Sequence, residues 1–230
     1  MTSMRIDILT LFPEMFAPLY ASIPARAQTG GKARIELHDL RGYAPAPHHQ
    51  VDDTPFGGGP GMVLKPEPLS AAIRSIRAEE AEVPVKVIYM SPQGIPFTQK
   101  LAEELSRLPR LLLVCGHYEG IDERIIEKYI DMEVSIGDYV LSNGELGAMV
   151  LSDAVIRLLD GVIASESAAQ ESFSTGILDH PHYTKPAVFE DMAVPKVLLS
   201  GNHKLIEKWR QEQALNNTRR KRPDLLTHND

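Results

Sequence analysis

Short apolar runs alternate with amphipathic stretches along the first two-thirds of the chain. The apolar or alternating runs predict strands at residues 5–10, 33–40, 85–90, 111–115 and 132–136. Between them, helix signals predict helices at residues 13–27, 66–81, 98–108, 122–129 and from Glu145 to near Gly161. Strands that alternate with helices in this way are typical of an α/β domain with a mostly parallel sheet.

Local signals indicate where several of these helices begin. Pro13 stands at an early position of the first helix, and Thr98 is a suitable N-cap for the third. Ser142 and Glu145 have the spacing of a capping box, which predicts that the last helix opens there. Residues 41–62 are rich in Pro, His and Gly, so we expect a long loop.

The chain changes character after these helices. Residues 164–175 contain few large apolar side chains, which is typical of a flexible linker. A proline-rich stretch and a helix predicted at residues 204–215 follow. The expected organisation is therefore an α/β domain at 1–162, a linker at 163–175 and a small helical domain at 176–230.

The charge distribution separates these parts. The 230 residues carry a formal net charge of −7, which argues against binding of nucleic acid by bulk charge alone. Residues 204–222 carry +5, which leaves −12 for the rest of the chain. Such a basic segment is suited to local contact with phosphate, although a solvated helix with a charged end explains it equally well.

Cysteine usage and hydropathy bear on the compartment. Cys115 is the only cysteine, so no intrachain disulfide can form and a reducing compartment is expected. The N-terminus has no signal-peptide pattern, and no apolar stretch is long enough to span a bilayer. We therefore expect a cytoplasmic protein without a membrane partner.

Glycine-bearing segments mark the candidate ligand sites. Residues 57–61 include four glycines but form neither a Walker loop nor a dinucleotide-binding turn, and a tight turn explains their composition equally well. Three further glycine-bearing segments follow predicted strands, at residues 89–94, 115–124 and 135–146. Because the carboxyl ends of parallel strands share one edge of a sheet, these segments predict one concave ligand site.

Polar residues outside these loops allow more than one interpretation. Arg157 lies in a predicted buried helix one turn after Asp153, which fits either a functional guanidinium or a structural ion pair. His180 and His182 are residue types that bind metals, but the sequence identifies no third ligand beside them. Glu171 lies in the predicted linker, where a carboxylate is usually only solvated.

Taken together, these segments resemble the bacterial tRNA (guanine-N1)-methyltransferases, the TrmD-type enzymes of the SPOUT class. The resemblance covers nearly the whole chain, to about Leu226, and rests on several long runs of unrelated composition. The matching runs are residues 11–16, 51–53, 57–62, 91–94, 118–124, 135–142, 178–179, 181–184, 194–195, 197–203 and 209–210.

The resemblance implies a fold, a partner and a reaction. It implies a deep trefoil knot in the α/β domain and an obligate homodimer with the active site at the subunit interface. The enzyme would transfer a methyl group from S-adenosyl-L-methionine to N1 of the guanine at tRNA position 37, on the 3′ side of the anticodon, which supports maintenance of the reading frame. The C-terminal domain would bind the tRNA.

Site residues follow from the same resemblance. Glu171 would remove the N1 proton as general base, and Arg157 would stabilise negative charge at O6. The family's dependence on magnesium makes Glu119 a candidate Mg²⁺ ligand. The residues that would bind the tRNA substrate are Gly58, Gly59, Asp179 and His182. Those that would bind the cofactor are Tyr89, Met90, Ser91, Pro92, Gly116, Tyr118, Gly120, Ser135, Ile136, Gly137, Asp138, Tyr139, Val140, Leu141 and Gly144.

The chain departs from the family pattern in places. Glu171 replaces the usual aspartate, and His117 replaces the usual arginine. Asn143 and Gly147 stand where glycine and proline are usual. These changes affect how far the general base at position 171 extends and the shape of the cofactor pocket.

Two other functions stay open at this level. A ribose 2′-O-methyltransferase of the same class would need no carboxylate beside the base, and an RNA-binding module could keep the fold without the chemistry. Nucleoside analysis of the product RNA would distinguish a ribose-methylated residue from 1-methylguanosine. Absence of S-adenosylmethionine binding would favour the RNA-binding module.

Overall fold

The computed structural model of the chain describes residues 3–164 and 171–227. They belong to two compact units, one ending at Ile163 and one beginning at Ala164. Residues 165–170 of the predicted linker lie outside the described residues. No helix within the described ranges combines the length and the apolar character needed to cross a bilayer.

The first unit contains the parallel sheet that the sequence predicts. Its strands are β1 (Met4–Thr10), β2 (Ala33–Asp39), β3 (Asp52–Asp53), β4 (Val63–Leu64), β5 (Lys86–Pro96), β6 (Arg110–Cys115) and β7 (Met132–Ser135). Five of them form one sheet in the order β2-β1-β6-β5-β7, and every neighbouring pair is parallel. The short strands β3 and β4 pair antiparallel inside the region predicted as a loop.

Helices cover both faces of this sheet. They are α1 (Ser22–Thr29), α2 (Pro66–Ala78), α3 (Gln99–Ser106), α4 (Glu123–Tyr129) and α5 (Glu145–Ile156). Buried side chains of α1, α3 and α5 share one apolar core with one face of the strands, and those of α2 and α4 share a second core with the other face. Burial on both faces explains why the central strands are apolar at consecutive positions.

Some helix starts follow the local signals. Thr98 Oγ1 accepts a hydrogen bond from the N–H of Leu101 at 3.3 Å, which confirms the predicted N-cap of α3. The helix predicted at residues 13–27 is instead a 3₁₀ helix, Pro13–Tyr20, followed by α1. Pro18 lies inside the first segment and has no N–H to donate, which favours the break.

Helix α5 begins at Glu145 as predicted, but its predicted capping box and its predicted end are wrong. Gly144 is its N-cap, so Ser142 forms no capping box. Glu145 is buried and accepts a hydrogen bond from Thr10 Oγ1 at 2.6 Å, a partner on β1 that local spacing could not reveal. The helix ends at Ile156, with Arg157 as its C-cap, rather than near Gly161.

Strand β5 extends beyond its predicted end. The sequence places that end at residue 90, but β5 continues to Pro96 and changes its register with β7 between Met90 and Ile95. The segment of residues 91–94 is therefore a bulge within a strand rather than a loop after it.

The second unit is built around one long helix. Its elements are the hairpin of β8 (Val188–Phe189) and β9 (Met192–Ala193), the 3₁₀ helices Lys196–Leu199 and Pro223–Leu226, and helix α6 (His203–Lys221). The sequence predicts α6 at residues 204–215, and the hairpin was not predicted. Asn202 caps α6 by accepting a hydrogen bond from the N–H of Leu205 at 3.2 Å.

A buried ionic cluster joins β1, β2 and β6. Asp7 is fully buried and accepts hydrogen bonds from Arg110 Nε at 2.8 Å and from Arg5 Nε at 2.9 Å. Nε2 of His38 on β2 lies 2.8 Å from the same carboxylate. Burial alone would raise the pKa of Asp7, but hydrogen bonds from His38, Arg5 and Arg110 outweigh it and hold this pKa below its ordinary value.

We predict that Asp7→Asn lowers the free energy of unfolding by about 3–5 kcal/mol, because it leaves two buried guanidinium groups without their shared carboxylate. Urea unfolding at neutral pH measures the loss. The exposed Glu82→Gln is the matched control and should stay within about 0.5 kcal/mol of the wild type.

The same comparison of wild type and Asp7→Asn at low pH tests the direction of the Asp7 pKa shift. A lowered folded-state pKa means that the Asp7 carboxylate stabilises the fold above its ordinary pKa, and that this contribution is lost as pH falls through the lower folded-state value. The difference between wild type and Asp7→Asn should therefore shrink on acidification. A difference that is small at neutral pH would show that the cluster contributes little.

Candidate functional site

A cavity of about 250 Å³ opens at the carboxyl ends of β6 and β7 and beside the bulge in β5. This volume is close to the lower end of the range of roughly 300–1,000 Å³ that is typical of small-molecule sites. The cavity therefore suits one small molecule rather than a nucleic-acid strand, and it lies where open parallel sheets bind ligands.

The predicted cofactor residues meet at this cavity. Its wall includes all of them except Asp138, which is exposed on the loop after β7. Glu119, the candidate Mg²⁺ ligand, also lies in the wall. The wall also includes His117, Ser142 and Asn143, which lie within the predicted loop segments although they were not predicted to bind the cofactor. Val134 and Gly147 complete the wall and lie one residue outside those segments.

Glycines allow the loops around the cavity to pack directly on one another. A side chain at Gly144 would bring its Cβ to 2.9 Å from both Cys115 Cα and Gly116 N. A Cβ at Gly116 would lie 2.8 Å from the Tyr89 hydroxyl oxygen. Both distances are shorter than folded proteins tolerate, so these glycines permit close approach of the main chain.

Hydrogen bonds hold the same loops in place. The N–H of Gly144 donates to the carbonyl of Gly116 at 2.9 Å, which joins the loop after β7 to the loop after β6. Ser135 Oγ accepts from the N–H of Gly137 at 3.2 Å, and the Tyr139 hydroxyl donates to the carbonyl of Ile136 at 3.2 Å. Backbone and side-chain hydrogen bonds within the loops therefore hold the cavity wall together.

Burial keeps two titratable side chains at or next to the cavity, those of Tyr89 and Cys115, in their neutral forms. Burial, followed by the nearby charge of Glu133, raises the pKa of Tyr89 to about 12, so its phenol stays protonated. Burial, followed by the charge of Glu145, raises the pKa of the Cys115 thiol. Cys115 is therefore a packed side chain rather than a thiolate nucleophile.

Two polar atoms near the cavity lack a protein partner. Among the described residues, His117 Nδ1 and Glu145 Oε2 are buried without a hydrogen bond. The ring of His117 packs edge-on against Phe12 and Tyr118, at centroid distances of 5.3 and 4.3 Å. Unpaired buried polar atoms are rare in proteins and are common at functional sites.

The glycine-rich segment of residues 57–61 is exposed and reaches this region. Gly58 and Gly59 have φ values of +77° and +118°, which residues with side chains rarely adopt. A Cβ at Gly61 would collide with the side chain of Glu119, and the N–H of Glu119 donates to the carbonyl of Met62 at 3.0 Å. The end of this segment is thus attached to the wall of the cavity.

The two predicted catalytic residues lie in different units. Arg157 is half-buried at the C-terminus of α5 in the first unit. Glu171 belongs to the second unit, where its carbonyl accepts hydrogen bonds from the N–H and the hydroxyl of Ser174 at 3.2 and 2.6 Å. These bonds make Glu171 the first residue of an ordered turn.

Asp179 and His182 line a separate depression in the second unit. His182 Nε2 lies 2.9 Å from Asp179 Oδ2. Burial alone would raise the pKa of Asp179, but hydrogen bonds from His182 and from the N–H of His180 outweigh it and lower this pKa. Arg220 and Lys221 of α6 line the same depression.

The fold and the cavity define an α/β protein that binds a small ligand at the carboxyl edge of a parallel sheet. Comparison with known proteins is more specific, because the family model described as tRNA (guanine-1)-methyltransferase TrmD matches residues 4–228. The chain belongs to this family.

Similar proteins support the assignment over almost the full length. A tRNA (guanine-N(1)-)-methyltransferase of Chloroflexus aggregans is 57% identical over 224 residues, which cover 97% of this chain and 88% of the relative. Proteins with the same name from Dehalococcoides mccartyi and Listeria welshimeri are 51% and 50% identical over 225 residues, covering 97% of this chain and 90% and 92% of the relatives.

We predict that Gly144→Ala lowers the free energy of unfolding by roughly 1–3 kcal/mol, because the added methyl group must push two backbone segments apart. Thermal and urea unfolding measure the change. Gly42→Ala is the matched control, since a Cβ there meets nothing within 4 Å. Equal effects of the two substitutions would contradict the role of close packing at Gly144.

Proposed function

We propose that this protein transfers a methyl group from S-adenosyl-L-methionine to N1 of the guanine at tRNA position 37, on the 3′ side of the anticodon. Family membership along nearly the whole chain supports the reaction class. The observation that carries the proposal is the single cavity lined by all but one of the residues expected to hold the cofactor. A tRNA substrate and an unpaired cysteine both fit a cytoplasmic enzyme.

The cavity has the character that this cofactor needs. Ile136, Val140 and Leu141 offer apolar surface to an adenine ring, and the adjoining glycines expose main-chain donors and acceptors to its polar edge. The neutral phenol of Tyr89 closes one side without adding charge. When bound, S-adenosylmethionine supplies an electrophilic methyl carbon on a sulfonium, whose neutral leaving group needs no general acid.

A trefoil knot of the SPOUT class belongs to the same proposal. The direct packing of Gly144 on Cys115 and Gly116 supports it, because a threaded chain must bring loop backbones into contact. So does Gly94, where a Cβ would lie 2.3 Å from the backbone N of Val134.

The protein's own residues then perform the proton chemistry. Guanine N1 carries a proton and is a weak nucleophile at neutral pH, so a carboxylate that removes this proton prepares it for attack. Glu171 is our candidate for this general base. The negative charge that develops at O6 would be stabilised by the guanidinium of Arg157.

A homodimer would bring the proposed general base Glu171 together with the guanidinium that would stabilise O6. The loop after β7 exposes Tyr139 and Val140, and α5 exposes Leu146 and Val150 one turn apart, at 46% and 47%. Exposed apolar side chains beside a cavity are suited to burial against a second copy of the chain. We infer that Glu171 of one subunit serves the cavity of the other.

The second unit supplies the proposed tRNA contacts. Arg219, Arg220 and Lys221 form a basic end of α6, which favours phosphate groups. Asp179 and His182, together with Gly58 and Gly59 of the first unit, are the candidates for contact with the guanine and its neighbours. A nucleotide turned out of its stack could then reach the cofactor.

A magnesium ion at Glu119 would need ligands from outside the protein. Glu119 belongs to no cluster of three or more ligand side chains in the part of the chain that the structure describes. Mg²⁺ commonly binds through one or two carboxylates with water and phosphate, so Glu119 would hold such an ion jointly with the nucleic acid.

A methyl-transfer assay tests the function directly. Purified protein, labelled S-adenosylmethionine and a tRNA transcript with guanine at position 37 should yield 1-methylguanosine on nucleoside analysis. A transcript with adenine at that position should gain no label. A ribose-methylated product, or cofactor binding without transfer, would contradict the proposal.

We predict that Glu171→Gln lowers kcat by about 10²–10⁴-fold, because an amide cannot accept the N1 proton. Arg157→Ala should lower kcat by about 10²–10³-fold through lost charge stabilisation. Calorimetry should find cofactor binding nearly unchanged in both variants. The exposed Glu190→Gln is the control, and near-normal turnover of either catalytic variant would refute its assigned role.

A further inference from the structure

The strongest unassigned feature is a three-residue cluster in a segment that is hydrogen-bonded to α6. Asp179, His180 and His182 each direct one ligand atom into a group whose members all lie within 4.8 Å of one another. His182 Nε2 is 2.9 Å from Asp179 Oδ2, and His180 Nε2 is 3.7 Å from Asp179 Oδ1. Asp179 is thus the third ligand that the two histidines lacked in the sequence pattern.

The hydrogen bonds of His180 determine which of its nitrogens is available. His180 Nδ1 lies 3.1 Å from the carbonyl oxygen of Pro181, which can only accept, so Nδ1 carries the proton. His180 Nε2 then lies on the side of the Asp179 carboxylate, where a proton or a metal ion can bridge the two groups. The bond from Nδ1 to a backbone carbonyl is the outer contact typical of metal-binding histidines.

The backbone of the cluster is fixed from several sides. The N–H of Asp179 donates to Ser172 Oγ at 3.0 Å, and Asn217 Nδ2 of α6 donates to the carbonyl of Asp179 at 3.1 Å. The preceding residue, Leu178, donates its N–H to Thr218 Oγ1 at 2.9 Å. Such anchoring reduces the conformational entropy that a ligand set loses when it binds an ion.

The spacing and chemistry of the ligands select a class of metal. Distances of about 2.0–2.2 Å from ligand to zinc at tetrahedral angles place two ligand atoms roughly 3.3 Å apart. The distances from His182 Nε2 and His180 Nε2 to the Asp179 carboxylate, 2.9 and 3.7 Å, run to its two different oxygens and lie on either side of this value. Two imidazoles with one carboxylate suit Zn²⁺, Co²⁺ or Ni²⁺, whereas Mg²⁺ prefers oxygen ligands.

We propose that Asp179, His180 and His182 bind one divalent transition-metal ion of the zinc type, with a fourth coordination position left open. His182 is 72% exposed, so that position faces solvent. Arg220 and Lys221 line the same depression and oppose a bare cation, but they favour an anionic fourth ligand such as a phosphate oxygen. The site shares Asp179 and His182 with the proposed guanine contacts, but metal binding without cofactor or tRNA can be measured separately from methyl transfer.

Metal titration of the full-length protein tests this site. The protein should carry no histidine tag, and neither S-adenosylmethionine nor tRNA is present. We expect Co²⁺ to bind with one-to-one stoichiometry and to give the visible absorption of a tetrahedral ion, and Zn²⁺ to displace it. Failure of the wild type to bind either ion at neutral pH would overturn the proposal.

Substitutions of the proposed ligands test where the ion binds. His180→Gln and Asp179→Asn should each weaken Zn²⁺ binding by at least about tenfold, since the loss of outer contacts alone costs about 10–100-fold. His203→Gln, an exposed histidine at the start of α6, should bind as the wild type does. Equal weakening by His203→Gln would place the ion elsewhere. Circular dichroism checks that each variant is folded, and methyl transfer is assayed separately.

Discussion

Direct contact between loop backbones is the constraint on which the candidate site depends. The N–H of Gly144 reaches the carbonyl of Gly116, and neither residue has space for a side chain. At Gly94, a Cβ would lie within 2.6 Å of the backbone of Glu133 and Val134. Because the main chain forms the wall, the cavity keeps its shape when neighbouring side chains differ. This explains how the chain can carry unusual residues beside its glycines without losing the pocket.

The scaffold that holds these loops is stabilised at two levels. Apolar side chains fill both faces of the sheet, and the charged cluster around Asp7 joins three strands through hydrogen bonds that apolar packing cannot provide. Removal of one member of such a cluster strongly lowers the free energy of unfolding, because its charged partners remain buried without it. Rigid strands are also what a binding site needs, since loops on a firm support lose less conformational entropy when they bind a ligand.

The sequence predicted the features that depend on local pattern. The parallel α/β class, the buried strands and the N-cap at Thr98 all follow from periodicity and short-range hydrogen bonding. The predicted capping box of α5 is wrong because the Glu145 side chain bonds to Thr10, which is 135 positions away along the chain. The bulge after Met90 was not predicted because it depends on the pairing of β5 with β7. No local rule describes either contact.

The candidate site likewise contains residues that the sequence pattern could predict and residues that it could not. Loops after successive strands could be placed together from topology alone, and nearly all of their predicted residues do line one cavity. Glu171 and Arg157 came from family resemblance, because no periodicity distinguishes a catalytic carboxylate from a solvated one. The metal-type cluster was missed for another reason. Asp179 is adjacent to His180 in sequence, but adjacency does not reveal where the side chains point.

The position of Glu171 has a physical consequence for its proposed role. Its carbonyl is held by both groups of Ser174, and the N–H of Phe173 donates to Ile177 at 2.7 Å, so the turn limits movement of the main chain. A glutamate here has one more rotatable bond than the aspartate usual in the family, and a fixed backbone cannot retreat to compensate. In its proposed role, the carboxylate would have to adopt a bent side-chain conformation to reach the proton that an aspartate would reach, which costs rotamer entropy of about a fraction of a kcal/mol. A subunit partner that packs around the side chain would offset that cost, because its walls would exclude the extended rotamers.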